Sequence, residues 1–413
     1  MKANNKKRVV ITGIGIVSSI GIGQEIFWEN LIRGTSGISQ VTSIDTSNHM
    51  THRGGEVKNF IPEEFFNRKL VKFMSRGTQL ALAATKLALK DSNLDQEVRS
   101  KKKIGFCLGT TLGELPALEI MDRDWIFKGL EAIENRVAFQ FPTTNMASFV
   151  SYECKFRGPM RIFTTACAAG NYAIGFGYDL IQYGEADIVL AGGADAFAWI
   201  PFTGFNQFRS VAPEKCQPFD LNRKGMMVGE GGGILVLETL ENALARGANI
   251  YAEILGYGLS CDAFHVTNTQ TDGIYQCMKD ALRQTGIEKE SVDYISAHGT
   301  GTKQNDKSEA EAINRLFGQR TKDILVSSIK SMLGHTMGAA AAIEAATCCL
   351  VVKNDIVPPT INYETPDPEC EIDCVPNVSR KKQIEIALNN GFGFGGNNAT
   401  LVVKKYPQIT GRN

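Results

Sequence analysis

Phe163-Thr164-Thr165-Ala166-Cys167-Ala168-Ala169-Gly170-Asn171 runs on through Tyr172-Ala173-Ile174-Gly175-Phe176-Gly177-Tyr178-Asp179-Leu180, and Gly184 then supplies a C-terminal stop. Small and apolar residues continue for about four turns, which predicts a largely buried helix with Cys167 in its first turn. Unpaired N–H groups at such a start, and the positive end of the helix dipole, favour a thiolate. The expectation is a cysteine of lowered pKa, able to act as a nucleophile near neutral pH. The same N–H groups could hold an oxyanion formed on an acyl group attached to sulfur. A cysteine is otherwise a small buried hydrophobe, so the rest of the chain must decide.

Two histidines and a lysine lie far downstream. His298 follows the strand-like run Val292-Asp293-Tyr294-Ile295 and enters a loop, Gly299-Thr300-Gly301-Thr302. Ile324-Leu325-Val326 precedes Ser327-Ser328-Ile329-Lys330-Ser331-Met332-Leu333-Gly334-His335, which leads into a helix of small residues. Gly-rich turns beside buried strands are where α/β folds place reactive side chains. The other histidines carry no comparable signal, and His49 and His52, in a polar loop without an acidic or cysteine partner at ligand spacing, read as solvent-exposed.

With 413 residues, 43% hydrophobic and 21% charged, the chain can bury a large core and hold more than one unit. Lys+Arg and Asp+Glu balance at 44 each, giving no indication of nucleic-acid binding. The basic N-terminus lacks a long apolar core, and no uninterrupted apolar run suggests a membrane span, so a cytoplasmic location is expected. The ten cysteines show no metal-ligand spacing and read as reduced thiols.

The ordered motifs resemble the elongating β-ketoacyl-acyl-carrier-protein synthases of the thiolase superfamily. They run from Arg8-Val9-Val10-Ile11-Thr12-Gly13 through Thr165-Ala166-Cys167, Pro218-Phe219-Asp220, Gly229-Glu230-Gly231, His298-Gly299-Thr300 and Lys330 to His335, ending at Gly391-Phe392-Gly393-Phe394-Gly395-Gly396-Asn397. The resemblance covers nearly the whole chain. It implies an α/β, five-layered αβαβα fold from two duplicated halves, residues 1–250 carrying Cys167 and residues 251–413 carrying His298, Lys330 and His335.

The resemblance also implies site roles. Cys167 would carry the acyl group, with the N–H groups of Cys167 and Phe394 as oxyanion hole and Phe394 as gate. His298 and His335 would stabilise an enolate, ordered by Lys330, with Glu344 as the partner of Lys330 and Asp306 and Glu309 supporting the loop after His298. Thr300 and Thr302 would bind phosphopantetheine; Leu112 and Phe392 would bound the acyl pocket. Arg68, Lys69 and Lys72, on a long basic helix, and the distant Arg209 would dock the acidic acyl carrier protein; a solvated face is the plainer reading. No metal or organic cofactor is implied, since substrates ride on the carrier's phosphopantetheine. A homodimer, or a heterodimer with a cysteine-lacking chain-length-factor homologue, is expected.

Glu114, a shortened segment before Pro218 and Ala168-Ala169-Gly170-Asn171 depart from the housekeeping fatty-acid pattern and favour the ketosynthase of a type II polyketide or polyene pathway. Fatty-acid elongation is the alternative. Retention of Cys167, His298, Lys330 and His335 argues against a non-catalytic chain-length partner. Two histidines, where a thiolase would use a second cysteine as base, argue against condensation without decarboxylation.

Overall fold

The computed structural model describes residues 6–407. In the first half the strands are β1 (Val9–Ser18), β2 (Ile104–Gly109), β3 (Met160–Phe163), β4 (Ile188–Asp195) and β5 (Gly231–Thr239). The second half contributes β6 (Ala252–Cys261), β7 (Tyr294–Ser296), β8 (Leu325–Ser327), β9 (Ile386–Gly393) and β10 (Asn397–Lys405). Along the first half the order is β3-β2-β4-β5-β1, and along the second β8-β7-β9-β10-β6. Numbered within its half, each reads 3-2-4-5-1. Parallel pairs (β3/β2, β2/β4; β8/β7, β7/β9) and antiparallel pairs (β4/β5, β5/β1; β9/β10, β10/β6) also correspond. The duplication is therefore topological. β1 and β6 pair over three residues, Val9 to Ile11 with Ala252 to Ile254, and join the halves at one edge.

The principal helices are α1 (Arg76–Asp91), α2 (Leu115–Lys128), α3 (Thr144–Cys154), α4 (Ala169–Gln182), α5 (Trp199–Gln207), α6 (Thr271–Thr285), α7 (Lys303–Phe317) and α8 (Ala340–Asn354). α4 and α8 touch each other between the halves, α1 covers the outer face of β1, β5 and β4, and α6 covers β6 and β10. These contacts make five layers. α8 explains why its sequence carries no polar face: every residue from Ala340 to Val352 is buried. Met337–Asn354 is long and apolar enough to cross a membrane, yet 89% of it is buried inside the protein.

The duplication extends to a local turn. Ala166–Ala168 and Met337–Ala339 are short 3-10 turns leading directly into α4 and α8. Each opens on a non-glycine residue in the left-handed region, Ala166 at φ 50° and Met337 at φ 52°. Such conformations cost about 1–3 kcal/mol and persist only where the surroundings impose them.

β1 is continuous and wholly buried, with a bulge between Ile11 and Gly13. Gly15 is required there because a Cβ would lie 1.9 Å from the Ala84 carbonyl oxygen of α1. The basic run is not one long helix: Arg68–Val71 is a single turn capped by Asn67, and α1 begins anew after Ser75, whose backbone is extended. His49 is half-buried rather than exposed, with Nε2 2.7 Å from Thr203 Oγ1 and its ring against Phe202.

Candidate active site

Cys167 sits in the 3-10 turn just before α4, not within the helix, and is 9% exposed. Its own backbone N–H and that of Phe394 lie toward the sulfur and favour its thiolate. The expected lowering of its pKa is overturned. Burial pushes the thiol up to about 12, and Lys330 and the two N–H groups offset only part of that desolvation. The thiol, not the thiolate, is the favoured form near neutral pH.

Two imidazoles are adjacent to that thiol. Cys167 Sγ and ring nitrogens of His298 and His335 all lie within 4.8 Å of one another. The two imidazoles meet edge to face, 5.4 Å between centroids at 83°. Burial first, then Lys330, holds both well below the usual histidine range, His335 adding to the effect on His298. Both rings are therefore neutral at pH 7. The Met337 N–H donates to His335 Nδ1 at 3.1 Å, so the ring proton must reside on Nε2. The His335 backbone is clamped as well: its N–H donates to Met227 O at 2.6 Å and its carbonyl accepts from Gly229 N–H.

Lys330 and Glu344, each 1% exposed, form an ion pair beneath this cluster. Burial raises the Glu344 carboxyl to about 7 against the opposing pull of Lys330. Glu309 receives the backbone N–H groups of His298 and Gly299, both at 2.8 Å, and the Asn390 amide at 3.2 Å. Asp306 receives the N–H groups of Phe219 and Gly301. The loop after His298 is thus pinned by two buried carboxylates on α7. Sulfur and two imidazoles could in principle ligate a soft metal, but Lys330 places a positive charge beside them that opposes a second cation.

A cavity of about 290 Å³ opens onto these groups. Cys167, His298 and His335 line it together with Thr300, Thr302, Phe392 and Phe394. The hydroxyls of Thr300 and Thr302 are 2.8 Å apart, and the Phe394 ring stacks near Phe205 at 5.9 Å.

Comparison with known proteins fits this geometry. The β-ketoacyl synthase N-terminal domain matches residues 6–243 and the C-terminal domain residues 251–364. The 3-oxoacyl-[acyl-carrier-protein] synthase 2 of Staphylococcus aureus (strain COL) is 40% identical over 411 residues, 98% of this chain and 99% of that protein. This chain belongs to the β-ketoacyl synthase family. It is an acyltransferase with the thiolase-like ketosynthase fold. Among solved structures, the ishigamide ketosynthase/chain length factor is 41% identical with a TM-score of 0.94, covering 97% of this chain and 100% of that one. A type II polyketide synthase acyl-carrier protein in complex with its ketosynthase, bound to the hexaketide, gives 33% identity and 0.90, covering 98% and 100%.

Not every residue singled out in the synthase's sequence reaches the cavity. Leu112 is absent from its wall; its N–H is tied to Asp195 Oδ1 at 3.0 Å, and the side chain joins an apolar cluster with Phe197, Phe202 and Met226. Met226 does line the cavity. Arg68, Lys69, Lys72 and Arg209 are all exposed, and Arg209 stands between Phe208 and Ser210 at the cavity rim. Glu114 is buried at 2% exposure: Oε1 accepts from Thr78, Oε2 has no hydrogen-bond partner among the described residues, and burial raises the carboxyl to about 8.

Sequence reasoning missed Phe205, Met226 and the segment Thr267 to Thr269 on the synthase's cavity wall. They come from helix α5 and two unrelated loops, with no local signal to mark them. It also missed Arg223, 2% exposed and ion-paired with Asp367 and Asp306, which braces the base of the Thr300 loop by donating to the Thr302 and Lys303 carbonyls.

Proposed function

We propose that this synthase performs a decarboxylative Claisen condensation between an acyl group on Cys167 and a malonyl group on acyl carrier protein. The observation that carries this reading is the convergence of the Cys167 sulfur and two neutral imidazoles within 4.8 Å at a cavity floor. The acyl thioester of the carrier exchanges with the Cys167 thiol, whose proton leaves on the carrier's thiol. The N–H groups of Cys167 and Phe394 receive the oxyanion. Malonyl thioester then loses carbon dioxide, and the enolate oxygen accepts hydrogen bonds from His298 and from the Nε2–H of His335. Its carbon attacks the acyl carbonyl; Cys167 departs as a thiolate and takes a proton from water, leaving a β-ketoacyl chain on the carrier. Lys330 orders the pair of histidines, while Thr300 and Thr302 meet the phosphopantetheine and Phe392 borders the acyl group. Each donor removed from such a site typically costs 10²–10³ in rate, about 3–4 kcal/mol.

The carrier protein is acidic, and the exposed Arg68, Lys69, Lys72 and, at the cavity rim, Arg209 offer it basic side chains. A second subunit is supported by an apolar face on α2 and the segment after it. There Trp125, Ile126, Phe127, Leu130 and Phe139 are 57–80% exposed, and exposed large apolar side chains grouped along one segment favour a covering partner. The partner on that face is either a second copy or a cysteine-lacking homologue.

The pathway we favour is type II polyketide or polyene synthesis, supported by Glu114, the shortened segment before Pro218 and Ala168 to Asn171, which depart in sequence from the housekeeping pattern. Fatty-acid elongation is favoured instead by the 40% identity to the S. aureus synthase. Intact-mass analysis of carrier protein, after mixing the chain alone with acyl and malonyl carriers, separates them. A two-carbon gain by wild type but not Cys167→Ala establishes the condensation and favours fatty-acid elongation. A gain that requires an added cysteine-lacking homologue supports the heterodimeric polyketide reading. No gain under either condition refutes the condensation.

A further inference from the structure

The two N–H groups read as an oxyanion hole come from segments far apart in the sequence, and their separation must be fixed by something. Phe394 follows β9, while Cys167 precedes α4. Between them lies a buried pair of amides. Asn171, fully buried on the first turn of α4, donates from Nδ2 to the carbonyls of Asn389 (3.0 Å) and Ala399 (3.1 Å). Its Oδ1 accepts from Asn389 Nδ2 at 2.7 Å, and that nitrogen also donates to Ala341 O at 2.8 Å on α8. Both Asn171 protons and its oxygen are thus used. One side chain ties the nucleophile helix to β9 and β10, and through Asn389 to the central helix of the other half.

The path from Asn389 to Phe394 is pressed against the nucleophile turn. A Cβ on Gly391 would lie 3.2 Å from Asn171 Nδ2 and 3.4 Å from Ala168 Cα. One on Gly393 would lie 3.0 Å from Thr165 O and 3.2 Å from Cys167 N. The strand and the turn therefore touch backbone to backbone, and sliding β9 moves the Phe394 N–H relative to the Cys167 N–H. We propose that Asn171 is a positioning residue: with Asn389 it locks β9 in register with the nucleophile turn, so that both N–H groups point at one oxygen. The inference rests on the oxyanion-hole reading of those two groups.

A displaced hole slows only the step that makes an oxyanion on the Cys167 acyl carbonyl. Asn171→Val and, from the opposite side, Asn389→Ser break the pair. Acyl transfer from acyl carrier to Cys167, followed by intact mass, is expected to fall about 10-fold or more in both. Carbon dioxide release from malonyl carrier at the histidines, which forms no oxyanion on the Cys167 acyl carbonyl, is expected to stay within about two-fold. Unchanged acyl transfer in either folded variant overturns the proposal. So does an equal fall in both readouts, which marks Asn171 as packing alone. If the wild type forms no acyl adduct on Cys167, or if Gly393→Ala, which forces the strand off the turn, transfers at wild-type rate, the oxyanion-hole reading itself fails. That result is separable from failure of the clamp.

Discussion

Glu114→Gln isolates the electrostatic cost of one buried carboxyl without changing its shape. Thr78 donates to Oε1 and the amide oxygen can accept the same bond, while Oε2 has no partner to lose among the described residues. Burial raises the Glu114 carboxyl from 4.5 to about 8, with Asp195 adding to the rise and Thr78 opposing it. A carboxyl raised on folding is favourable to stability below its unfolded value, and that advantage is lost as pH climbs from about 4.5 to 8. Relative to a group that never ionises, the native state of the wild type is worse by about 2 kcal/mol at pH 6 and by about 5 kcal/mol at pH 9, at 1.36 kcal/mol per pH step. Glutamine carries no such dependence. Urea unfolding of both proteins at pH 6 and 9 should show the stability difference moving by about 2.7 kcal/mol in favour of Glu114→Gln as pH rises. The amide's own packing cost cancels between the two conditions. A difference that stays constant with pH, or moves the other way, refutes the reasoning that Glu114 is held neutral by desolvation.

Other consequences are equally direct. Lys330→Ala strands Glu344 in the core and should destabilise the fold by about 3–5 kcal/mol, whereas Lys330→Met with Glu344→Leu should recover most of that loss in denaturant melts. Nitrogen NMR of labelled histidine should find His335 neutral with its proton on Nε2 at pH 6.5, because burial and Lys330 depress it; protonation lies further down the pH scale, and a charged ring at 6.5 contradicts the site. Phe127→Glu, at 80% exposure, should shift the oligomeric mass measured by light scattering while leaving the thermal midpoint of the subunit within a few degrees.

Much of the site was legible because its elements are local. A small-residue helix after Cys167, Gly/Thr loops after short apolar strands, and an alanine-rich helix after His335 each announce themselves within a dozen residues. Glu344 within α8 was legible for a related reason: a carboxyl amid small apolar residues demands a buried cation. Electrostatic outcomes were not legible in the same way. The dipole argument for Cys167 was sound in sign but too small, because desolvation in a closed pocket outweighs two N–H donors and a lysine. The basic run at Arg68 was misread as one helix because side-chain pattern does not reveal the extended backbone at Ser75.

The sequence by itself marked Cys167, His298 and His335, which converge at the cavity, and indicated strands alternating with helices in two successive halves, since periodicity and turn residues encode local backbone choices. Only the tertiary structure decided how those pieces meet. The shared 3-2-4-5-1 strand order, the twin turns at Ala166 and Met337, the Nε2–H tautomer of His335 and the approach of Phe394 to Cys167 all depend on contacts between residues distant in the chain. Such contacts are selected by the packing of whole layers and by the loss of water around them, and neither is written in any short stretch of sequence.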